Sequence, residues 1–149
     1  MGVPKVEQIA LPGGVTGRAL DVLEGRAEPV PARDAATVVV LRERRGVPGG
    51  MQVYLLRRRA SMAFAAGAHV FPGGAVDPRD ADRDIAWAGP SPAWWADVLR
   101  SDERTARALV CAAVRETFEE SGVLLAGPRP DAVVADTAEW EEDRLALIG

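Results

Sequence analysis

Apolar and polar positions along this chain follow two different periods, and the change of period divides it. Residues 35–42, AATVVVLR, form a continuous apolar and β-branched run, the pattern of a buried strand. Residues 51–57 alternate less cleanly and read as its antiparallel partner. The turn between them, residues 44–50, is built on Gly46, Pro48, Gly49 and Gly50. Small residues over 60–66 predict a loop, and 68–71 predict a short strand. Phe71-Pro72-Gly73-Gly74 then predicts a tight turn that closes this hydrophobic segment. Beyond about residue 102 the period becomes helical. Leu109, Ala113 and Phe118, with Val110 and Val114, form an apolar side. Ser101 or Asp102 is the expected cap, the helix runs to about Ser121, and Gly122 supplies the left-handed residue past its end. Between turn and helix, residues 77–103 open with acids and turns. They then show a short helix over 92–99, with Pro92 in its first turn. Residues 138–148 predict a last amphipathic helix, acidic at its start. Residues 1–34 are rich in Pro and Gly, with one weak helical patch over 16–23, and read as a loosely docked arm.

Composition narrows the function classes. A chain of 149 residues, 48% hydrophobic and 27% charged, is an ordinary globular domain by length and balance. Its formal net charge of −4 gives no general pull toward nucleic acid or an anionic membrane. Cys111 is the single cysteine, so no internal disulfide forms and a reducing compartment is permitted. No charged segment followed by a long apolar core opens the chain, and no apolar run reaches membrane-spanning length. The C-terminal Leu147-Ile148-Gly149 is not a Ser-Lys-Leu address. The expected location is cytoplasmic, and nothing sets an oligomeric state.

The chemistry concentrates in residues 115–123, RETFEESGV. In a helix, Glu116, Glu119 and Glu120 stand at i, i+3 and i+4 and project from one face. Like charges at that spacing cost a few tenths of a kcal/mol per pair. A solvated acidic face tolerates that cost. A hard divalent cation reverses its sign, because Mg²⁺ takes oxygen ligands in an octahedral shell completed by water and phosphate.

These residues, taken with the glycine segment upstream, resemble the Nudix box, G-x(5)-E-x(7)-R-E-U-x-E-E-x-G-U. Residues 115–123 follow its second half and Gly74 its first glycine. Two departures stand out. Asp80 replaces the first glutamate, six positions after Gly74. Gly74 and Arg115 lie 41 positions apart (115 − 74) where the pattern has 14, so about 27 residues are inserted. The segments GAHVFPGGAVDPRD and ALVCAAVRETFEESGVLL are similar to the branch holding the peroxisomal coenzyme A diphosphatases, in its subgroup with a long insert inside the box. The likeness covers roughly residues 36–126.

The resemblance implies an α/β fold, an α/β/α sandwich with a mixed sheet. It places the domain over 35–149, with the insert at about 81–108. Residues 124–149 are too few for the later strands and closing helix of that fold, so the domain is expected to be incomplete at its C-terminus. The implied activity is hydrolysis of a nucleoside diphosphate linked to another group, with Mg²⁺ or Mn²⁺ and water. The partner is a small nucleotide-type substrate, with no nucleic acid and no membrane. Glu119 and Glu120 match the metal-binding pair. Glu116 matches a further ligand or the general base, and the Gly74 carbonyl is a further possible donor. Arg115 is expected to orient a box carboxylate, and Asp80 to serve as an outer support or as a turn residue.

For substrate, the branch signature pairs two arginines ahead of FPGG. Arg58, Gly67 and residues 71–74 match it, whereas Ala63 stands at the second arginine position. Arg57 and Arg58, beside Arg59, are the candidate contacts to coenzyme A phosphates, against an alternative as a solvated strand end. His69 reads as structural and Cys111 as a small core residue. Trp94 and Trp95 are expected to pin the insert to the body, with adenine stacking the alternative. Two other function classes share these residues: a Nudix-like domain that binds without catalysis, and an inert fragment.

Overall fold

The computed structural model describes residues 13–61, 65–82 and 84–148. The opening of the arm, the middle of the 60–66 loop with Ala63, and residue 83 of the insert lie outside the described residues. The chain forms two compact units, Met1–Ala32 and Arg33–Gly149. In the first, helix α1 (Gly13–Leu23) starts a little earlier than the helical patch at 16–23 and buries none of its residues. Arg26 pairs with Asp21 at 2.8 Å and with Glu24, closing the turn after this helix.

Among the described residues, the second unit holds six short strands: β1 (Ala35–Thr37), β2 (Leu41–Glu43), β3 (Met51–Val53), β4 (Leu56–Arg57), β5 (His69–Val70) and β6 (Gly73–Ala75). They pair as three antiparallel ladders, β1 with β6, β2 with β3 and β4 with β5. The expected mixed sheet is not formed among the described residues. The reason lies in how three segments share partners. Residues 35–43 give their first half to β6 and their second to β3. Residues 51–57 give their first half to β2 and their second to β5. Residues 69–75 give β5 to β4 and β6 to β1. Three mutually antiparallel segments cannot lie flat in one sheet, so each must change direction between its two ladders. The single strand expected over 35–42 is therefore split, and so is the one over 51–57. Two bonds carry the ladders into the bends: Val38 N–H donates to Pro72 O at 2.9 Å, and Tyr54 N–H to Val40 O at 3.0 Å.

Phe71-Pro72-Gly73-Gly74 is likewise not a tight turn. Pro72 is fully buried at a bend, and Gly73 and Gly74 belong to strand β6. Glycine is needed at Gly73 for close approach: a Cβ there would overlap the Ala36 carbonyl oxygen, with Thr37 Cα at 2.8 Å. The expectation of a buried strand also fails for β2, all of whose residues are exposed. β2 is Leu41-Arg42-Glu43 and contains none of the β-branched residues of that run, and β2 and β3 pack chiefly on each other.

The helices follow their local signals more closely. In the insert, α2 (Pro78–Asp82) is a short helix that the turn-like composition did not announce. Helix α3 (Pro92–Leu99) starts at Ser91, whose hydroxyl accepts the Trp94 N–H at 3.1 Å. Helix α4 (Glu103–Ser121) is capped by Asp102, which accepts the Thr105 N–H at 2.9 Å and its hydroxyl at 2.6 Å. Gly122, at φ 73°, returns its N–H to Phe118 O and ends the helix. The last helix begins as a 3₁₀ turn (Ala138–Trp140) and continues as α5 (Glu141–Ile148).

Helix α4 is central to this unit. It packs against α2, α3, α5, β1 and β6, and its buried residues are Ala106, Ala108, Ala112, Thr117 and Phe118. The expected apolar side is thus only partly right: Leu109, Val110, Ala113 and Val114 are half-buried. Small side chains win the interior because a helix with neighbours on several sides needs close backbone approach. Thr117 stands where the box pattern calls for an aliphatic residue. It is fully buried, and its hydroxyl donates to Ala113 O at 2.7 Å, so its polar atom is satisfied within the helix.

Candidate active site

The carboxyl half of α4 lies along β6, and its acids divide between two columns. Glu116 and Glu120, four residues apart, face the glycines. The Gly73 N–H donates to Glu120 Oε2 at 3.0 Å. The Glu116 carboxylate sits so close over Gly74 that a Cβ at Gly74 would collide with it. The bonds Val38 N–H to Pro72 O and Val76 N–H to Asp34 O set the ladder alternation. That alternation makes Ala36 and Gly74 a hydrogen-bonded pair. The ladder thus takes one lone pair of the Gly74 carbonyl and leaves the other.

Arg115 and Glu119 form the second column. Arg115 grips Asp80 as a fork, Nε to Oδ1 at 3.0 Å and Nη2 to Oδ2 at 2.9 Å. Its Nη1 donates to Glu116 Oε1 and to Glu119 Oε1, each at 3.0 Å, and Nη2 also reaches Ala75 O at 3.0 Å. The side chains are largely enclosed, 13% exposed for Arg115 and 5% for Asp80. Arg115 thus contacts the box carboxylates Glu116 and Glu119, and its bidentate partner is Asp80. Of the two roles weighed for Asp80, the structure supports the first. Asp80 also accepts the Asp77 N–H at 2.8 Å. Asp77 in turn holds Arg79, whose guanidinium and N–H lower the Asp77 carboxyl to about 2.

The electrostatics follow from this packing. Asp80, then Glu119 and Glu116, raise the Arg115 guanidinium pKa above its usual value against the opposing effect of burial. Burial pushes the Glu116 carboxyl up despite Arg115, and the charges of Glu119 and Glu120 push the same way. Asp80, Glu116 and Glu119 surround one guanidinium, and Glu120 lies beside Gly73. Glu116, Glu119 and Glu120 offer hard oxygens on neighbouring turns of α4, which fits a Mg²⁺- or Mn²⁺-type ion by donor chemistry. In this arrangement their carboxylates are engaged by Arg115 and the Gly73 N–H. Among the described residues, no three His, Cys, Asp or Glu side chains converge to hold one metal ion.

The other sequence candidates fall elsewhere. Arg57 is exposed on β4 opposite His69 of β5, and Arg58 follows it with its N–H on Ala68 O at 2.9 Å. Their ladder runs through residues 71–72 into Gly73. Trp94 is 49% exposed and stacks edge-on against Trp95 at 4.9 Å. Trp95 is half-buried on α3, which packs on α4, and Trp87, not singled out in the sequence, also ties the insert down. Arg107 of α4 lies 5.7 Å from the Trp87 ring and donates to Ile85 O at 2.9 Å. Cys111 is half-buried rather than core. It lines a cleft of about 480 Å³ with Trp87 and Trp95 of the insert, Val114 of α4, and Leu125 and Val133 downstream. Asp80 and Arg115 reach this cleft, whereas Gly74, Glu119 and Glu120 are not among its walls.

The close seat of Glu116 makes Gly74→Ala a direct test of this geometry. The added methyl must displace the Glu116 carboxylate, so turnover is expected to fall at least about tenfold, comparable to loss of a supporting contact. A melting curve separates this from unfolding, because the clash is with the end of a side chain rather than with backbone.

No family model matches the chain. Among solved structures, it is similar to the crystal structure of a NUDIX hydrolase from Alicyclobacillus acidocaldarius, with 32% identity and a TM-score of 0.55. The match covers 79% of this chain and 49% of that one, so the chain spans about half the length of that relative. This likeness supports a place in the Nudix superfamily. No helix among the described residues is long and apolar enough to cross a membrane.

Proposed function

We propose that this chain is a Nudix-type hydrolase that cleaves the diphosphate linkage of a nucleoside diphosphate derivative, with coenzyme A or an acyl-CoA as the leading substrate. The observation that carries the reading is the contact of Glu116 and Glu120 with Gly74 and Gly73, beside the Arg115–Asp80 pair. It places side by side the two halves of the sequence motif that an insert separates.

Glu119 and Glu120 would hold Mg²⁺ or Mn²⁺, with Glu116 and the free lone pair of the Gly74 carbonyl as further donors. Such an ion, when bound, neutralises the diphosphate and lowers the pKa of water. The protein's own contribution is positional. Glu116 is the candidate base, and its raised pKa follows from its burial. Arg115 holds Glu116 and Glu119 in register and is itself locked by Asp80. Arg57 and Arg58 are the candidate contacts for substrate phosphates, and their position on the ladder that leads into Gly73 supports this role. The coenzyme A preference rests on the sequence likeness to the insert-bearing branch.

A second reading, a domain that binds without catalysis, draws on one observation: the acids do not converge on a point in this arrangement. A phosphate-coupled assay of the full chain across nucleotide diphosphates and coenzyme A separates the two. Activity is expected with added Mg²⁺ or Mn²⁺ and none with chelator. Substrate binding without product under both ions would select the second reading.

A further inference from the structure

The last carbonyls of a helix have no partner within it and must find one elsewhere. In α4 the Gly122 N–H returns to Phe118 O at 2.8 Å. The next carbonyl, that of Glu119, is taken by Arg144 of α5, whose Nη1 donates to it at 2.6 Å. The Gly122 carbonyl is taken by the Thr137 hydroxyl at 2.7 Å. Both donors come from the segment after the motif, 25 and 15 positions away from their acceptors.

The Arg144 guanidinium is itself held. Glu141, one turn earlier, accepts from Nε at 2.7 Å and from Nη2 at 2.5 Å. The Arg144 side chain is 21% exposed, whereas Glu141 is 57% exposed. The remaining nitrogen, Nη1, is thereby aimed at α4. Glu119 is thus fixed at both ends, its main chain by Arg144 and its carboxylate by Arg115. A cation at this end of the helix also opposes the negative end of the macrodipole.

We propose that Arg144 is a positioning residue for Glu119, and through it for a divalent cation bound by the acids of α4. Thr137 does the same for the chain leaving the helix. Arg144 need not touch substrate; it sets the height and tilt of the turn that carries Glu119 and Glu120. The inference rests on the proposed reading of those glutamates as ligands.

The test is Mn²⁺ retention by the full chain, read as the free-ion signal in electron paramagnetic resonance, with melting curves alongside. Wild type should retain Mn²⁺. Arg144→Ala should weaken that retention by about tenfold, the effect of removing a support behind a ligand. Arg144→Lys, which keeps the charge but not the fork, should recover part of it. Thr137→Val should show a smaller loss. In turnover, kcat should fall while the substrate KM stays close to wild type. If Arg144→Ala melts earlier but retains Mn²⁺ as well as wild type, Arg144 is merely structural and the inference is overturned. Should Arg144→Ala fail to fold, Arg144→Lys decides: a fully wild-type Mn²⁺ affinity there, with the fork lost, overturns it as well. Failure of wild type itself to retain Mn²⁺ overturns the ligand reading, and this inference with it.

Discussion

Glu119→Gln and Glu120→Gln should each cost at least about 100-fold in metal-dependent turnover, more than loss of a supporting contact behind a ligand. Glu116→Gln should cost on the order of 10²–10⁴-fold if Glu116 is the base. Glutamine keeps the shape and one acceptor oxygen but removes the charge, so folding is little affected. Glu120 still accepts the Gly73 N–H through its amide oxygen, and Glu119 still accepts from Arg115. Steady-state rates at saturating Mg²⁺ or Mn²⁺ are the measurement. A wild-type rate in both Glu119→Gln and Glu120→Gln would remove the catalytic assignment. A Glu116→Gln protein with unchanged rate but weaker metal binding would move Glu116 from base to ligand.

The second large effect concerns stability. Asp80→Ala removes the bidentate partner of Arg115 and leaves that cation enclosed, with its side chain 13% exposed. Breaking such a pair from one side costs about 3 kcal/mol, which corresponds to a Tm lower by roughly 10 °C for a unit of this size. Asp80→Ala with Arg115→Ala should cost less than the sum of the two single losses, because the Asp80–Arg115 pair is broken only once, while Glu116 and Glu119 lose their cation in either Arg115 variant. The double-mutant cycle reads the coupling directly. Asp80→Glu restores the residue the family pattern has at this position. It is expected to retain most of the stability and shows whether the longer reach still closes the fork. Equal melting of Asp80→Ala and wild type would show that Glu116 and Glu119 satisfy Arg115 alone.

What the sequence made legible was local or periodic. Helix pitch placed Glu116, Glu119 and Glu120 on one face, and the family resemblance added Arg115. Pro92, Ser101 or Asp102, and Gly122 marked helix ends through chemistry contained within a few residues, whereas the Ser91 cap was not read. Asp80 was weighed between two roles because its partner is 35 positions away. Its register six residues after Gly74 did not decide between them, because its reach is shorter than that of the glutamate it replaces. Arg144 was missed for the same reason of distance. A basic residue in a short acidic helix looks like a surface ion pair, and only the fold shows that Nη1 crosses to α4.

The glycines show a different limit. Gly73 and Gly74 were read as a turn, because glycine most often serves backbone freedom. Here they serve the absence of a side chain: Ala36 presses on one and the Glu116 carboxylate on the other. Composition does not distinguish these two uses. The run at 35–42 shows the same gap between propensity and packing. Of its β-branched residues only Thr37 lies in a strand, Val38, Val39 and Val40 fall at the bend between β1 and β2, and Val39 is 52% and Leu41 54% exposed. Burial belongs to the neighbour as much as to the residue.

The insert carries a consequence for how such a domain can diversify. Lengthening the connection between Gly74 and Arg115 from 14 to 41 positions roughly trebles a loop, and chain-closure entropy grows only with the logarithm of length, about 1 kcal/mol here. A single hydrogen bond from a charged group, worth about 1.5–3 kcal/mol, offsets that cost, and the bond from Arg107 to the Ile85 carbonyl at 2.9 Å is one of that type. Because Asp80 enters its ion pair before the extra residues begin, their number and composition can change without dislodging the guanidinium. The added segment can thus vary in length and composition at almost no thermodynamic expense to the Arg115–Asp80 pair.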